Sequence, residues 1–168
     1  MSRDWSIREE APGDEGAIAA VTAAAFADHP HSSGSEPRII ERLRERGELA
    51  LSLVAQTASG EIVGHIAFSP VTIGDTRQGW FGLGPLSADP LRKGEGIGSA
   101  LVTRGIEVLR ERGAAGCAVV GDPGYYARFG FARPDAISYP GPLDPYLQVM
   151  ILDGPAAGGV IVYSPAYG

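Results

Sequence analysis

The chain has 168 residues, 44% of them apolar and 20% charged, which suits one domain or two very small ones and excludes a disordered chain. A net charge of −6 and a pI near 5.0 argue against nucleic acid as the main partner, because phosphate binding needs a concentrated positive surface. No signal-peptide pattern precedes the first strand, and no apolar run approaches the ~20 residues of a membrane span, so a cytoplasmic protein without membrane partners is expected.

Residues 5–8 read as a short strand. Pro12, Gly13 and Asp14 then predict a turn and N-cap, and a helix follows with Ile18, Val21, Ala25 and Phe26 on one face. The stretch "DHPHSSGS" at 28–35 is a loop by composition, and a second helix spans about 36–46, closed by Gly47. Three strands are expected at 49–56, 61–73 and 79–88. Their links "TASG" and "GDTRQ" have hairpin length and composition, which predicts an antiparallel meander.

A long helix follows, with the apolar stripe Ile97, Leu101, Val102, Gly105, Val108 and Leu109, ending at Gly113. Residues 116–120 form an apolar strand, so strand, helix and strand succeed one another as in a βαβ unit. Cys117 lies in that strand beside Ala118, Val119 and Val120. As the only cysteine it excludes an intrachain disulfide, and it reads as a small core residue. Asp122–Gly124 as a turn, a helical segment at 125–129, an irregular proline-rich loop at 132–145 and closing strands at 147–152 and 160–163 complete one α/β domain, residues 1–168.

The stretch "LRKGEGIGSAL", residues 91–101, places Gly94, Gly96 and Gly98 at the entry to the long helix. Glycine inside a helix costs roughly 1 kcal/mol relative to alanine, so something there needs bare backbone. The first helical turn leaves N–H groups without partners and carries about half a positive charge. Glycines remove the Cβ atoms that would hold an anion off those groups, and a phosphate or pyrophosphate is the ligand this geometry favours. A P-loop needs Gly-Lys-Ser/Thr at its end, whereas Lys93 precedes the glycines and Ser99-Ala100 follows them. A dinucleotide fingerprint counted from Gly94 meets Ser99 at its last glycine position.

A strand, a basic residue, two residues, Gly-x-Gly and a helix resemble the acyl-CoA pyrophosphate loop of the GNAT superfamily of acetyl-CoA-dependent N-acetyltransferases. Lys93, Gly96 and Gly98 occupy those positions. "LGPLSADPLRKGEGIGSAL" followed by "GDPGYYARFGF", with "IVGHIAFSPVTI" before and "VIVYSPAY" after, is similar to the YhbS-like group of that superfamily, so the resemblance covers most of the chain. It departs at two points: Lys93 stands where Gln or Arg is usual, and Glu95 stands where many relatives carry Lys, Arg or Gln. Lys93 is the only lysine among 14 basic residues, and a compact ammonium suits a tight phosphate site; a solvated helix-start lysine is the bland reading.

The resemblance implies a mixed, mostly antiparallel sheet of about seven strands flanked by helices on both faces, an α/β (α+β) fold. It also implies a V-shaped splay between the fourth and fifth strands, opened by a β-bulge. By the same implication acetyl-CoA is the co-substrate and no metal is used. Lys93, Gly94, Glu95, Gly96, Ile97, Gly98 and Ser99 then hold its phosphates, while the freed backbone of Leu86, Ser87 and Ala88 takes the pantetheine arm. Pro85, with no N–H to donate, fits an interrupted ladder there.

In the family pattern Tyr-x-x-x-Gly-Phe the matching residue is Tyr126, implied as the general acid for the departing thiolate. Tyr125 is its neighbour and points elsewhere on a helical turn. The alternative for Tyr126 is a packing tyrosine. The base stays open between Glu36, His65 and a water chain, since "GWFGLGPLSA" carries no acid and no histidine. A structural histidine is the better reading of His65, and Glu36 reads equally as a first-turn acid favoured by the helix dipole. His29 and His31 lie in a loop that could cover the substrate.

An N-acetyltransferase acting on a primary amine of a small molecule or peptide is the leading reading. A non-catalytic acyl-CoA-binding module is second, and a small interaction domain without CoA third. The acceptor, the acyl-chain preference and the oligomeric state, a homodimer included, stay open.

Overall fold

The computed structural model describes residues 4–27, 32 and 34–168. Strand β1 (Trp5–Glu9) pairs antiparallel with β2 (Leu51–Thr57), and β2 pairs antiparallel with β3 (Ile62–Pro70). Between β1 and β2 come helices α1 (Glu15–Phe26) and α2 (Glu36–Glu45). The alanine content of α1 favours helix intrinsically. Asp14 stands at its N-cap position, yet its carboxylate does not cap it. It takes Arg8 in a fork at 2.8 and 3.1 Å and the Ala11 N–H at 2.7 Å, tying the turn to β1.

The predicted strand at 61–73 divides. After β3 the chain turns at Val71, whose N–H bonds the Trp80 carbonyl, and Thr72–Ile73 (β4) leaves the main sheet. Strand β5 (Trp80–Ala88) returns antiparallel to β3. Helix α3 (Ile97–Glu111) follows, then β6 (Gly116–Val120), parallel to β5 as the strand–helix–strand order requires. A short helix α4 (Pro123–Tyr126) runs into a 3₁₀ turn at Ala127–Phe129. Within 132–145, expected to be irregular, Ile137–Ser138 forms β7. Strand β8 (Leu147–Ile151) closes the main sheet against β6, and β9 (Gly159–Val162) joins β4 and β7.

The main sheet is therefore β1-β2-β3-β5-β6-β8, mostly antiparallel, with a second sheet β4-β9-β7. The mixed, helix-flanked architecture agrees with expectation. The expected single set of about seven strands divides into six and three because β4, β7 and β9 fold over one face and cover Trp80, Ala118 and Leu147. On the opposite face α3 lays Ile97, Leu101, Val102 and Leu109 against Leu53, Ile66 and Phe68. Helices α1 and α2 meet the sheet on the same side as the second one, where Ile18 and Ile40 enclose Val54. Cys117 is fully buried in the α3-side core, which pushes its thiol pKa up.

Two features of β5 create the cleft. It pairs with β6 only over Trp80–Gly82, opposite Gly116–Ala118, so the two strands part beyond that point. On its other edge Ile66 faces Leu86 while Phe68 faces Leu83. Three steps on β5 thus match two on β3, a bulge centred on Gly84 and Pro85. The Gly84 carbonyl freed from the ladder accepts the Tyr167 hydroxyl at 2.7 Å.

Candidate active site

Beyond Ala88 the chain leaves the sheet in a tight turn. The Asp89 carboxylate accepts the Leu91 N–H at 3.0 Å and caps a 3₁₀ turn at Pro90–Arg92. Gly94 and Gly96 then adopt left-handed backbone, with φ of 87° and 81°, and nothing lies within 4 Å of where a Cβ would stand on either. Gly96 is the residue before the first turn of α3, so the N–H groups of Ile97, Gly98 and Ser99 open that helix with no intrahelical carbonyl to bond. The glycines thus serve a turn and a bare helix start together.

These groups line a cleft of about 750 Å³ between the start of α3, the end of β5 and Ala24 and Ala25 of α1. Lys93, Gly94, Gly96, Ile97, Gly98, Ser99 and Ala88 face it. Glu95 is exposed, and its carboxylate meets Arg92 at 3.2 Å; Arg92 also meets Asp4 at 3.0 Å, holding that carboxyl below its ordinary value. The acid that stood out in the loop therefore has a cation beside it. Leu86 is half-buried and Ser87 fully buried.

The pair Tyr125 and Tyr126 divides differently from expectation. Tyr125 lines the cleft, its hydroxyl 3.0 Å from where a Gly98 Cβ would stand. The Arg128 guanidinium lies 4.5 Å above the Tyr125 ring and lines the same cleft. Tyr126 is half-buried and packs its ring against Gly121 and edge-on to Tyr125 and Phe131, at centroid distances of 5.0 and 5.8 Å. Burial raises its pKa well above the ordinary 10, so the hydroxyl stays protonated. Arg92 and Arg128 were not singled out in the sequence, and Tyr125 was read there as pointing elsewhere on its helical turn. The three-residue spacing of Tyr125 and Arg128, one helical turn, is the signal that could have paired them.

Glu36 does not join this cleft. It accepts the Ser32 hydroxyl at 2.6 Å in a separate cavity of about 330 Å³ between the end of α1 and the start of α2. His29 and His31 lie outside the described residues. His65 is fully buried on the α1/α2 side of β3, with Nε2 2.8 Å from the Ser52 hydroxyl. Burial first, and Arg44 second, lower its pKa from 6.5 to about 3.

That shift predicts acid sensitivity. Between pH 6.5 and 3 the unfolded chain binds the histidine proton and the folded chain does not. Stability falls as pH drops through that window, by up to ~1.4 kcal/mol per pH unit. The carboxylates that hydrogen bonds hold below their ordinary values, Asp4, Asp14, Glu48 and Asp144, weaken the fold only nearer pH 4 and below. Melting curves should therefore shift down already between pH 6.5 and 5, and a constant melting temperature there would contradict a neutral, buried His65.

A family model described as "Acetyltransferase (GNAT) family" matches residues 17–131. The chain is 38% identical over 125 residues to the uncharacterized N-acetyltransferase YhbS of Escherichia coli strain K12, spanning 74% of this chain and 72% of that protein. Among solved structures it resembles a GNAT family acetyltransferase from Brucella melitensis in complex with acetyl-CoA, with TM-score 0.87, 42% identity and 98% of each chain covered. It also resembles Escherichia coli YhbS in complex with CoA, with TM-score 0.90, 32% identity, and 99% of this chain and 93% of that one covered.

Proposed function

The chain belongs to the GNAT acetyltransferase family, and from that premise we propose that it moves an acetyl group from acetyl-CoA to a primary amine by direct attack in a ternary complex. The observation that carries this reading is the junction of the splayed β5 end with the unpartnered N–H groups of α3 in one cleft. The bare glycine backbone there fits a pyrophosphate, which the helix start favours electrostatically. Acetyl-CoA supplies an acyl group already activated as a thioester.

Lys93, Gly94, Glu95, Gly96, Ile97, Gly98 and Ser99 form the phosphate loop in this proposal, with Tyr125, Arg92 and Arg128 added from the cleft wall. Leu86, Ser87 and Ala88, parted from β6, offer backbone groups to the pantetheine arm. Tyr126 protonates the leaving thiolate, and rate is gained mainly by holding the amine in line. Glu36, in its separate cavity, sits where it would face an acceptor lodged between α1 and α2 and not the phosphate loop.

A second reading, an acyl-CoA-binding module without chemistry, is favoured by the packing of Tyr126 against Gly121 and Phe131. An acetyl-CoA consumption assay across amines, amino acids, polyamines and antibiotic amines separates the two. Turnover with any of them excludes the module, and CoA binding without turnover supports it. Lys93→Ala should weaken CoA binding by roughly 1 kcal/mol, a loss that shrinks with salt and is smaller for a pantetheine fragment. Affinity for both ligands unchanged by the substitution would return Lys93 to an ordinary surface role.

A further inference from the structure

The bulge on β5 is tied down from outside its own sheet. The Gly84 carbonyl can only accept, so in its 2.7 Å contact with Tyr167 the phenol commits its one hydrogen there. The Ser69 hydroxyl, closed to solvent on β3 and 3.0 Å from the same phenol oxygen, must then donate to Tyr167. The line therefore runs one way, from Ser69 through Tyr167 to Gly84. Burial pushes the Tyr167 phenol up to about 12, so it keeps that hydrogen throughout the neutral range.

The phenol is held in turn. Pro165–Tyr167 is a 3₁₀ turn capped by Ser164, whose oxygen accepts the Ala166 N–H at 3.0 Å. The Ser164 hydroxyl donates to Glu48, just past α2, at 3.0 Å. The Tyr167 ring stands edge-on to Tyr163 at a centroid distance of 5.4 Å. Tyr163 lies so close over Gly82 that a Cβ there would be 2.5 Å from its ring, and Gly82 is the last β5 residue paired with β6. Residues 163–167 thus grip β5 at the two places that shape the cleft, where it leaves β6 and where it bulges.

Strand register shows what the bulge aims. The Asp89 N–H bonds the Val63 carbonyl of β3, and backbone groups alternate sides along a strand. Those of Leu86 and Ala88 therefore face away from β3, toward the edge that β6 has left. A bulge carbonyl without a partner would cost about 1–3 kcal/mol, so a released Gly84 would turn to find one and turn the residues beyond it as well. We propose that Tyr167 is a positioning residue for acetyl transfer, holding the Gly84 carbonyl so that the Leu86 and Ala88 N–H groups stay aimed at the thioester. That the thioester lies there is part of the proposed function, on which this inference rests. Donors to a carbonyl that gains negative charge must be fixed before the reaction, and a misplacement of about 1 Å can cost ~10²-fold in rate.

Tyr167→Phe keeps the ring against Tyr163 and removes the bond to Gly84. With the best amine of the acceptor panel, kcat should fall about tenfold or more. KM for acetyl-CoA and Kd for CoA should stay within about twofold, because the phosphate loop is untouched. Ser69→Ala is the control for stability. It leaves a buried hydrogen bond of the same cluster unmade but keeps the donation from Tyr167 to Gly84, so its melting temperature should fall at nearly wild-type kcat. A Tyr167→Phe protein with unchanged kcat, or with a loss that Ser69→Ala matches, refutes the positioning role and leaves the acetyltransferase reading intact. Should Tyr167→Phe fail to fold, Ser164→Ala decides, since it loosens the turn and leaves the phenol in the chain. A lower kcat at unchanged KM for acetyl-CoA then supports the role, and a wild-type kcat refutes it. A wild-type protein that binds CoA and acetylates no amine removes both readings.

Discussion

Tyr126→Phe should lower kcat by ~10²–10⁴-fold while CoA affinity barely moves. The substitution keeps the ring that meets Gly121, Tyr125 and Phe131 and deletes only the hydroxyl, which has no hydrogen-bond partner among the described residues. Loss of packing therefore cannot account for a loss of rate. Burial holds the phenol protonated beyond its ordinary range, so the pH–rate profile of the wild type should show no tyrosine limb below pH 10.

Tyr125→Phe is the informative contrast. Its hydroxyl stands at the start of α3, beside Gly98 and within the cleft, so its loss should fall on CoA affinity more than on kcat. A Tyr126→Phe protein that retains more than about half its activity, or that fails to fold, ends the assignment of Tyr126 as the acid. Transfer of the larger kcat effect to Tyr125→Phe would move the role one residue along the helical turn.

Two glycines on α3 should respond in opposite ways to the same substitution. A Cβ at Gly105 would lie 2.5 Å from Cε2 and Cζ of Phe68, a fully buried ring in the α3-side core. Gly105→Val must displace that ring or lift the helix, costing ~1–3 kcal/mol or more, against a propensity gain of only about 0.3–0.5 kcal/mol. The melting temperature should drop by several degrees, at roughly 2–4 °C per kcal/mol for a domain of this size.

At Gly98 the close neighbour is the Tyr125 hydroxyl at 3.0 Å, the far end of a side chain that can swing aside. Gly98→Val should keep the fold and place a branched side chain over the helix-start N–H groups, so calorimetry should register a large loss of CoA binding. Wild-type CoA affinity in Gly98→Val would sink the phosphate-loop reading. Gly94 and Gly96 are poorer probes, because their left-handed backbone strains any substituent whatever the ligand does.

Most secondary structure was legible in the chain because it depends on neighbours a few residues apart. The stripe Ile97, Leu101, Val102 and Leu109 is buried as its 3.6-residue period requires, and Gly47 and Gly113 end their helices with positive φ. The hairpin link "TASG" joins the antiparallel partners β2 and β3, whereas "GDTRQ" follows β4, which leaves the main sheet before β5 returns to pair with β3. Less legible was β7, whose two residues carry no periodicity and are strand only because β9 arrives beside them. Gly105 read as part of an apolar stripe; its closeness to Phe68, 37 positions earlier, came from packing.

Residue types at short, fixed spacings were enough for most of the elements, the glycine-marked helix start and the family. Tertiary structure decided what those elements face. Adjacent residues on a helical turn point roughly 100° apart, so only the docking of α4 assigns Tyr125 to the cleft and Tyr126 to the packed side. The hydrogen-bonded set Glu10, Arg44, Ser52 and His65 comes from the end of β1, from α2, from β2 and from β3. No local pattern relates them, and the fold joins them because strand register sets which residues become neighbours across the sheet.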